Sequence, residues 1–97
     1  MELSELQKEM KDRYSDKDLQ MGSAFLMNVL IEEVGELSRA TRKEAKSNIG
    51  EEVADVIFSA ISLANIFDVQ VEPILKEKYL DRPLSEVSKK WTDVTWK

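Results

Sequence analysis

The sequence contains neither cysteine nor histidine. Without cysteine there is no disulfide and no thiolate metal ligand, and without histidine the common zinc sites and the mixed histidine–carboxylate di-iron sites of helical bundles are excluded. Lack of cysteine also suits a reducing compartment, so a cytoplasmic location is expected. Only three glycines and two prolines interrupt the 97 residues, which leaves few enforced breaks in regular structure. No apolar run is long enough to span a bilayer, and the opening MELSELQKEM has no basic region followed by a hydrophobic signal core. Acidic residues outnumber basic ones 19 to 14, for a net charge of -5. The basic stripe needed to grip a nucleic-acid backbone is missing, so neither a nucleic-acid polymer nor a membrane is expected as a partner. An anionic small ligand would need bridging cations.

What the sequence does have is helical periodicity over nearly its whole length. The expected fold is all-α, a small bundle of four to five helices in one domain spanning residues 1–97, held by packing alone. Leu3, Leu6, Met10 and Tyr14 recur at spacings of three and four and predict a first helix from Glu2 to Tyr14. SDKD reads as a polar turn. A second helix is expected from Leu19 or Ser23 to Lys46, with Leu26, Leu30, Leu37 and Ala40 as its core stripe. SNIGEE then separates it from a third helix running from Ile49 to Phe67, with Asn48 as N-cap and Glu51 in the capping-box position. Its core stripe is Ile49, Val53, Val56, Ala60, Leu63 and Phe67. After DVQVEP, Pro73 fits the first turn of a helix over Glu72 to Leu80. DRP ends that helix, and a short one is expected from Leu84 to Trp91 before the unassigned tail TDVTWK.

The segment IEEVGEL places three glutamates in the second helix. At about 100° per residue, Glu33 falls inside the arc of Leu26, Leu30, Leu37 and Ala40, Glu36 lies at its edge beside Val29, and Glu32 points away. The third helix repeats the pattern with Glu52 and Asp55 on the flank of its stripe, and Ser59 continues their line. A short connection makes the two helices antiparallel neighbours, so the acidic pairs converge. Four ionised carboxylates cannot converge without compensation, because desolvation and repulsion both oppose it. The compensating charge is a Lys or Arg side chain, a proton or a divalent cation. An all-oxygen donor set suits Mg²⁺ or Mn²⁺, and Mg²⁺ is typically shared with phosphate oxygens. A phosphate ester or polyphosphate is the implied ligand.

EEVGEL followed by EEVADV resembles the paired ExxE and ExxD signature of the MazG-like nucleotide pyrophosphohydrolases, a branch of the all-α NTP pyrophosphatase superfamily. LQKEMKDRY through FLMNVLIEEVGEL is similar to that family's first two helices, and EEVADVIFSAISLANIFDVQVEPILKEKY to its third and fourth. The resemblance implies Mg²⁺-dependent hydrolysis of a nucleoside triphosphate, NTP or dNTP, between the α and β phosphates, giving the monophosphate and pyrophosphate. It carries the family's metal ligands onto Glu33, Glu36, Glu52 and Asp55, the four residues that periodicity singles out. Lys78 falls where the family has a phosphate-contacting Lys, and Arg82 stands where relatives often carry Asn, so both are candidate substrate contacts.

Glu32 and Glu51 read as a solvated residue and a capping residue. Trp91 and Trp96 are expected to pack against the body or a partner rather than a base. Phe25, Met27 and Phe58 form a second apolar face, and Ala54, Ile57, Ile61 and Ile66 make the third helix apolar nearly all round. Such a helix needs neighbours on several sides. A homodimer at minimum, or a homotetramer, follows. The competing readings are a hydrolase of another nucleotide such as phosphoribosyl-ATP and a non-catalytic helical module whose acidic pairs face solvent.

Overall fold

The computed structural model describes residues 1–88; Trp91, Trp96 and the rest of the tail lie outside them. Three long helices dominate: α1 (Leu3–Met21), α2 (Ser23–Lys43) and α3 (Lys46–Ile66). A shorter α4 (Val71–Lys76) continues as a π-helical segment (Glu77–Asp81), and α5 (Leu84–Val87) follows Pro83. There is no strand among the described residues, and no helix among them is long and apolar enough to cross a membrane.

The expected turn at SDKD is not there, because α1 runs through it to Met21. Ser, Asp and Lys weaken a helix only mildly, so the chain stops at the next residue that can break it. That residue is Gly22, at φ +89° and ψ 160°, a conformation essentially reserved for glycine.

The α2–α3 hairpin is the centre of the molecule. It closes through two residues, Glu44 and Ala45, rather than through SNIGEE, so α2 ends before Lys46 and α3 begins before Ile49. Glu44 adopts the left-handed conformation at φ +53°. Its N–H donates to the Thr41 carbonyl at 3.2 Å and that of Ala45 to the Ala40 carbonyl at 3.4 Å, which together form a Schellman cap. Asn48 is therefore inside the first turn of α3, and the expected capping box with Glu51 does not form. The end of α3 repeats the device: Asp68 sits at φ +55°, with Asp68 N–H donating to Asn65 O and Val69 N–H to Ala64 O.

On α2 the expected stripe faces inward, with Leu26 and Ala40 buried and Leu30, Glu33 and Leu37 half-buried. On α3 the expected stripe is only partly covered, since Val53, Ala60 and Phe67 are exposed. The residues that bury are Ser59, Ile61, Ser62 and Asn65. The reason lies in α1, which packs on the polar flank of α3. Gln7, 1% exposed, donates from Nε2 to Asn65 Oδ1 at 2.9 Å and to the Val69 carbonyl at 2.7 Å, while its Oε1 accepts from the Val71 N–H at 3.1 Å. One amide thus ties α1 to the α3–α4 link, and small serines let the helices approach closely. Glu72 of α4 accepts the Ser4 N–H at 3.0 Å, supplying α1 with the first-turn acceptor that its own N-cap lacks.

Past Lys76 the wider π turn brings residues five apart together. Lys76 pairs with Asp81 and Arg82 with Glu77, both at that spacing.

Candidate metal centre

Glu33 and Glu36 stand one turn apart on α2, and Glu52 and Asp55 stand one turn apart on α3. Across the hairpin, one carboxylate oxygen each from Glu33, Glu36 and Glu52 lies within 4.8 Å of the others. Glu33 and Glu52 are half-buried, whereas Glu36 opens to solvent. Asp55 is exposed and close enough to add its charge to both half-buried glutamates.

Two features leave the carboxylates of this cluster without compensation from the described residues. Oε2 of Glu33 and Oε2 of Glu52 are buried with no hydrogen-bond partner, and none of the ion pairs among the described residues involves the cluster. Buried carboxylate oxygens are normally bonded or paired, so two orphans within one cluster require an explanation. Burial, then the charges of Glu36 and Asp55, push the Glu33 carboxyl above its usual range. Burial, then Glu36 and Glu33, do the same to Glu52. A hard divalent ion accepting oxygen ligands from both helices would satisfy the orphaned oxygens and remove the repulsion.

Not every sequence candidate joins this cluster. Glu32 is exposed and turned away from it, as its helix phase requires. Lys78 and Arg82 belong to the arm formed by α4 and the π segment, which packs on α1 rather than on α2. Arg82 is held by Glu77, with Nη2 at 2.8 Å and 3.1 Å from the two carboxylate oxygens, and the Lys78 ammonium lies 5.5 Å from the centre of the Tyr79 ring. Within one chain neither is brought to the carboxylates.

Three residues that sequence reasoning left out of the site, Asn48 having been read only as an N-cap, share a groove with the cluster. Arg39, Lys43 and Asn48 line a groove of about 190 Å³ together with Ala40 and two of the glutamates, Glu36 and Glu52. The signal was available in the spacing, since Glu36, Arg39, Ala40 and Lys43 follow the i, i+3, i+4, i+7 pattern of one helix face.

The site is thus an antiparallel helix hairpin with an acidic pair on each arm, inside an all-α bundle. The particular family is settled by the sequence: the family model of the MazG nucleotide pyrophosphohydrolase domain matches residues 22–82, and the chain belongs to that family. The match takes in α2, α3, α4 and the π segment, and so all four carboxylates. No curated protein matches the chain.

Proposed function

We propose that the chain is a Mg²⁺-dependent nucleoside triphosphate pyrophosphohydrolase, with Mn²⁺ as an alternative ion, that cleaves an NTP or dNTP between the α and β phosphates in nucleotide-pool clean-up. The observation that supports this most is the pair of buried, unpartnered oxygens on Glu33 and Glu52 inside a three-glutamate cluster. Glu33, Glu36, Glu52 and Asp55 are the residues that would hold the ions. Bound Mg²⁺ supplies charge neutralisation for the triphosphate and makes a water more acidic. The carboxylates position that chemistry, and one of them accepts the water's proton. The whole chain 1–97 is taken as the domain, since α1 packs on α3.

The test is pyrophosphate release from a panel of NTPs, dNTPs and phosphoribosyl-ATP with and without Mg²⁺. Release from at least one triphosphate only with Mg²⁺ is the expected result. Release from phosphoribosyl-ATP alone would reassign the substrate, and no release from any member would leave a non-catalytic helical module.

We further propose that the working unit is a homodimer or a larger homo-oligomer. Met27, Ile31 and Val34 share one face of α2 and are 46%, 57% and 48% exposed. The Cα radius of gyration is 15.7 Å, against about 13 Å for a compact chain of 100 residues. A second copy of the same apolar face would cover this surface, and assembly is also the route by which Lys78 and Arg82 could contact substrate held by a neighbouring subunit. Ile31→Glu should lower the mass seen by light scattering to that of one chain while helicity is kept, because the charge would be buried only in the interface. An unchanged oligomer would exclude this face.

A further inference from the structure

We propose that Arg39 and Lys43 form the subsite for the leaving diphosphate, so that the substrate lies along the hairpin with its α phosphorus at the acidic end of the groove and its β and γ phosphates at the basic end. The inference rests on the proposed pyrophosphohydrolase activity and adds to it the direction of the substrate and the residues that grip the leaving group.

The groove has opposite charge at its two ends. Glu36 and Glu52 form one end, and one and two turns further along the same face of α2 come Arg39 and Lys43, with Asn48 on the α3 wall. Neither cation forms an ion pair with any described residue, although both share the groove with two carboxylates. Their neighbour Arg42, by contrast, is occupied, donating from Nη1 to Ser38 Oγ at 3.0 Å. Cations at a helix C-terminus can be there simply to oppose the helix dipole. That role needs no groove and would be met equally by Arg42. A guanidinium, an ammonium and an amide around a space of about 190 Å³ are instead suited to the oxygens of a polyphosphate, which Arg takes in bidentate fashion and Lys as a point charge.

The reaction then has a defined direction. A bond forms between the water oxygen and the α phosphorus while the bond from that phosphorus to the α–β bridging oxygen breaks. The electron pair leaves with pyrophosphate, and a water proton passes to a carboxylate of the cluster and on to solvent. Arg39 and Lys43 bind the charge that accumulates on the departing group. A substrate with one phosphate fewer forfeits part of this contact, so the subsite also counts phosphates.

Inorganic pyrophosphate is the probe, titrated calorimetrically into the full chain with Mn²⁺ present, alongside Mn²⁺ binding and steady-state kinetics. Charge-assisted hydrogen bonds contribute about 1.5–3 kcal/mol each. Arg39→Gln should therefore weaken pyrophosphate binding by at least about tenfold, and Arg39→Gln with Lys43→Gln by about a hundredfold. Mn²⁺ binding should be unchanged, Arg39→Lys should recover part of the loss, and discrimination between tri- and diphosphate substrates should shrink. Arg42→Gln removes the same charge from the same turn and should change none of these. Equal weakening by Arg42→Gln would reduce the effect to net charge and overturn the subsite. So would unaltered pyrophosphate binding in the double variant, with Glu52-dependent activity intact, in which case the pyrophosphohydrolase reading itself stands. A wild-type chain that binds no Mn²⁺ would overturn both.

Discussion

Glu33→Gln and Glu36→Gln are each expected to lower Mg²⁺-dependent pyrophosphate release by at least about a hundredfold, a barrier increase of roughly 2.7 kcal/mol, whereas Glu32→Gln should change it by less than about tenfold. The three residues lie within five positions on one helix, so composition and local charge do not separate them. Geometry does. Glu33 and Glu36 meet Glu52 across the hairpin, while Glu32 is turned into solvent. Glutamine keeps the shape and removes one charge, so helicity should survive in all three variants. High Mg²⁺ should partly rescue the first two, because a weakened site is refilled by mass action. An inactive Glu32→Gln beside an active Glu33→Gln would reverse the helix phase and discard the ligand set.

The second large effect is a change of sign in stability. In the metal-free chain, Glu33 and Glu52 have carboxyl groups raised above the ordinary value of 4.5. A folded-state value above the unfolded one means that the native state binds more protons in the interval between them, so stability falls as pH rises through that interval. The full penalty is present at neutral pH and is absent below the unfolded value. Asp68, held down by its hydrogen bond with Lys11, and Glu72, held down by its bonds to Ser4, act in the opposite direction and are common to every variant. Without metal at neutral pH, Glu33→Gln and Glu52→Gln should therefore melt above the wild type, with the gap closing as pH falls towards 4.5.

Saturating Mg²⁺ should invert that order. An ion at a hundred times its dissociation constant stabilises the wild type by about 2.7 kcal/mol, on the order of 10 °C for a domain of this size, and the variants should respond little. Differential scanning fluorimetry across pH, with EDTA or Mg²⁺, reads both halves. Equal Mg²⁺ shifts in wild type and variants would contradict the assignment.

The parts of the fold that were legible in the sequence are those written in leucine spacing. On α2, Leu26, Leu30, Leu37 and Ala40 fix the inward arc, and Glu33 stands out only because it interrupts that arc. The ends of α1 and α2 and the start of α3 were misread because their signals are atypical, whereas the end of α3, capped by Phe67, was read correctly. The left-handed residues closing α2 and α3 are Glu44 and Asp68, where glycine is the usual marker, so two Schellman caps left no trace in composition. SDKD looks like a turn by residue type, but nothing in it prevents a helix, and Gly22, four residues after Asp18, provides the break. The buried seam of α3 was hidden for a different reason. Ser59, Ser62 and Asn65 are polar; the Gln7 amide, fifty-eight residues from Asn65 in the chain, satisfies Asn65, and the two serines are buried because they are small enough for α1 to pack over them. Hydrophobic periodicity cannot register such a contact. The groove residues Arg39 and Lys43 look like ordinary surface charge until the hairpin sets them beside Glu52.

The central claim is that the α2 and α3 carboxylates form one divalent-metal site, and Mn²⁺ binding followed by electron paramagnetic resonance tests it without reference to substrate. Titrated with the full chain, free Mn²⁺ signal should disappear saturably for the wild type and for Glu32→Gln. Glu33→Gln and Glu52→Gln, one from each helix, should each weaken binding by at least about tenfold, a loss of about 1.4 kcal/mol. Wild-type affinity retained in both variants, or no saturable binding by the wild type, would contradict the claim.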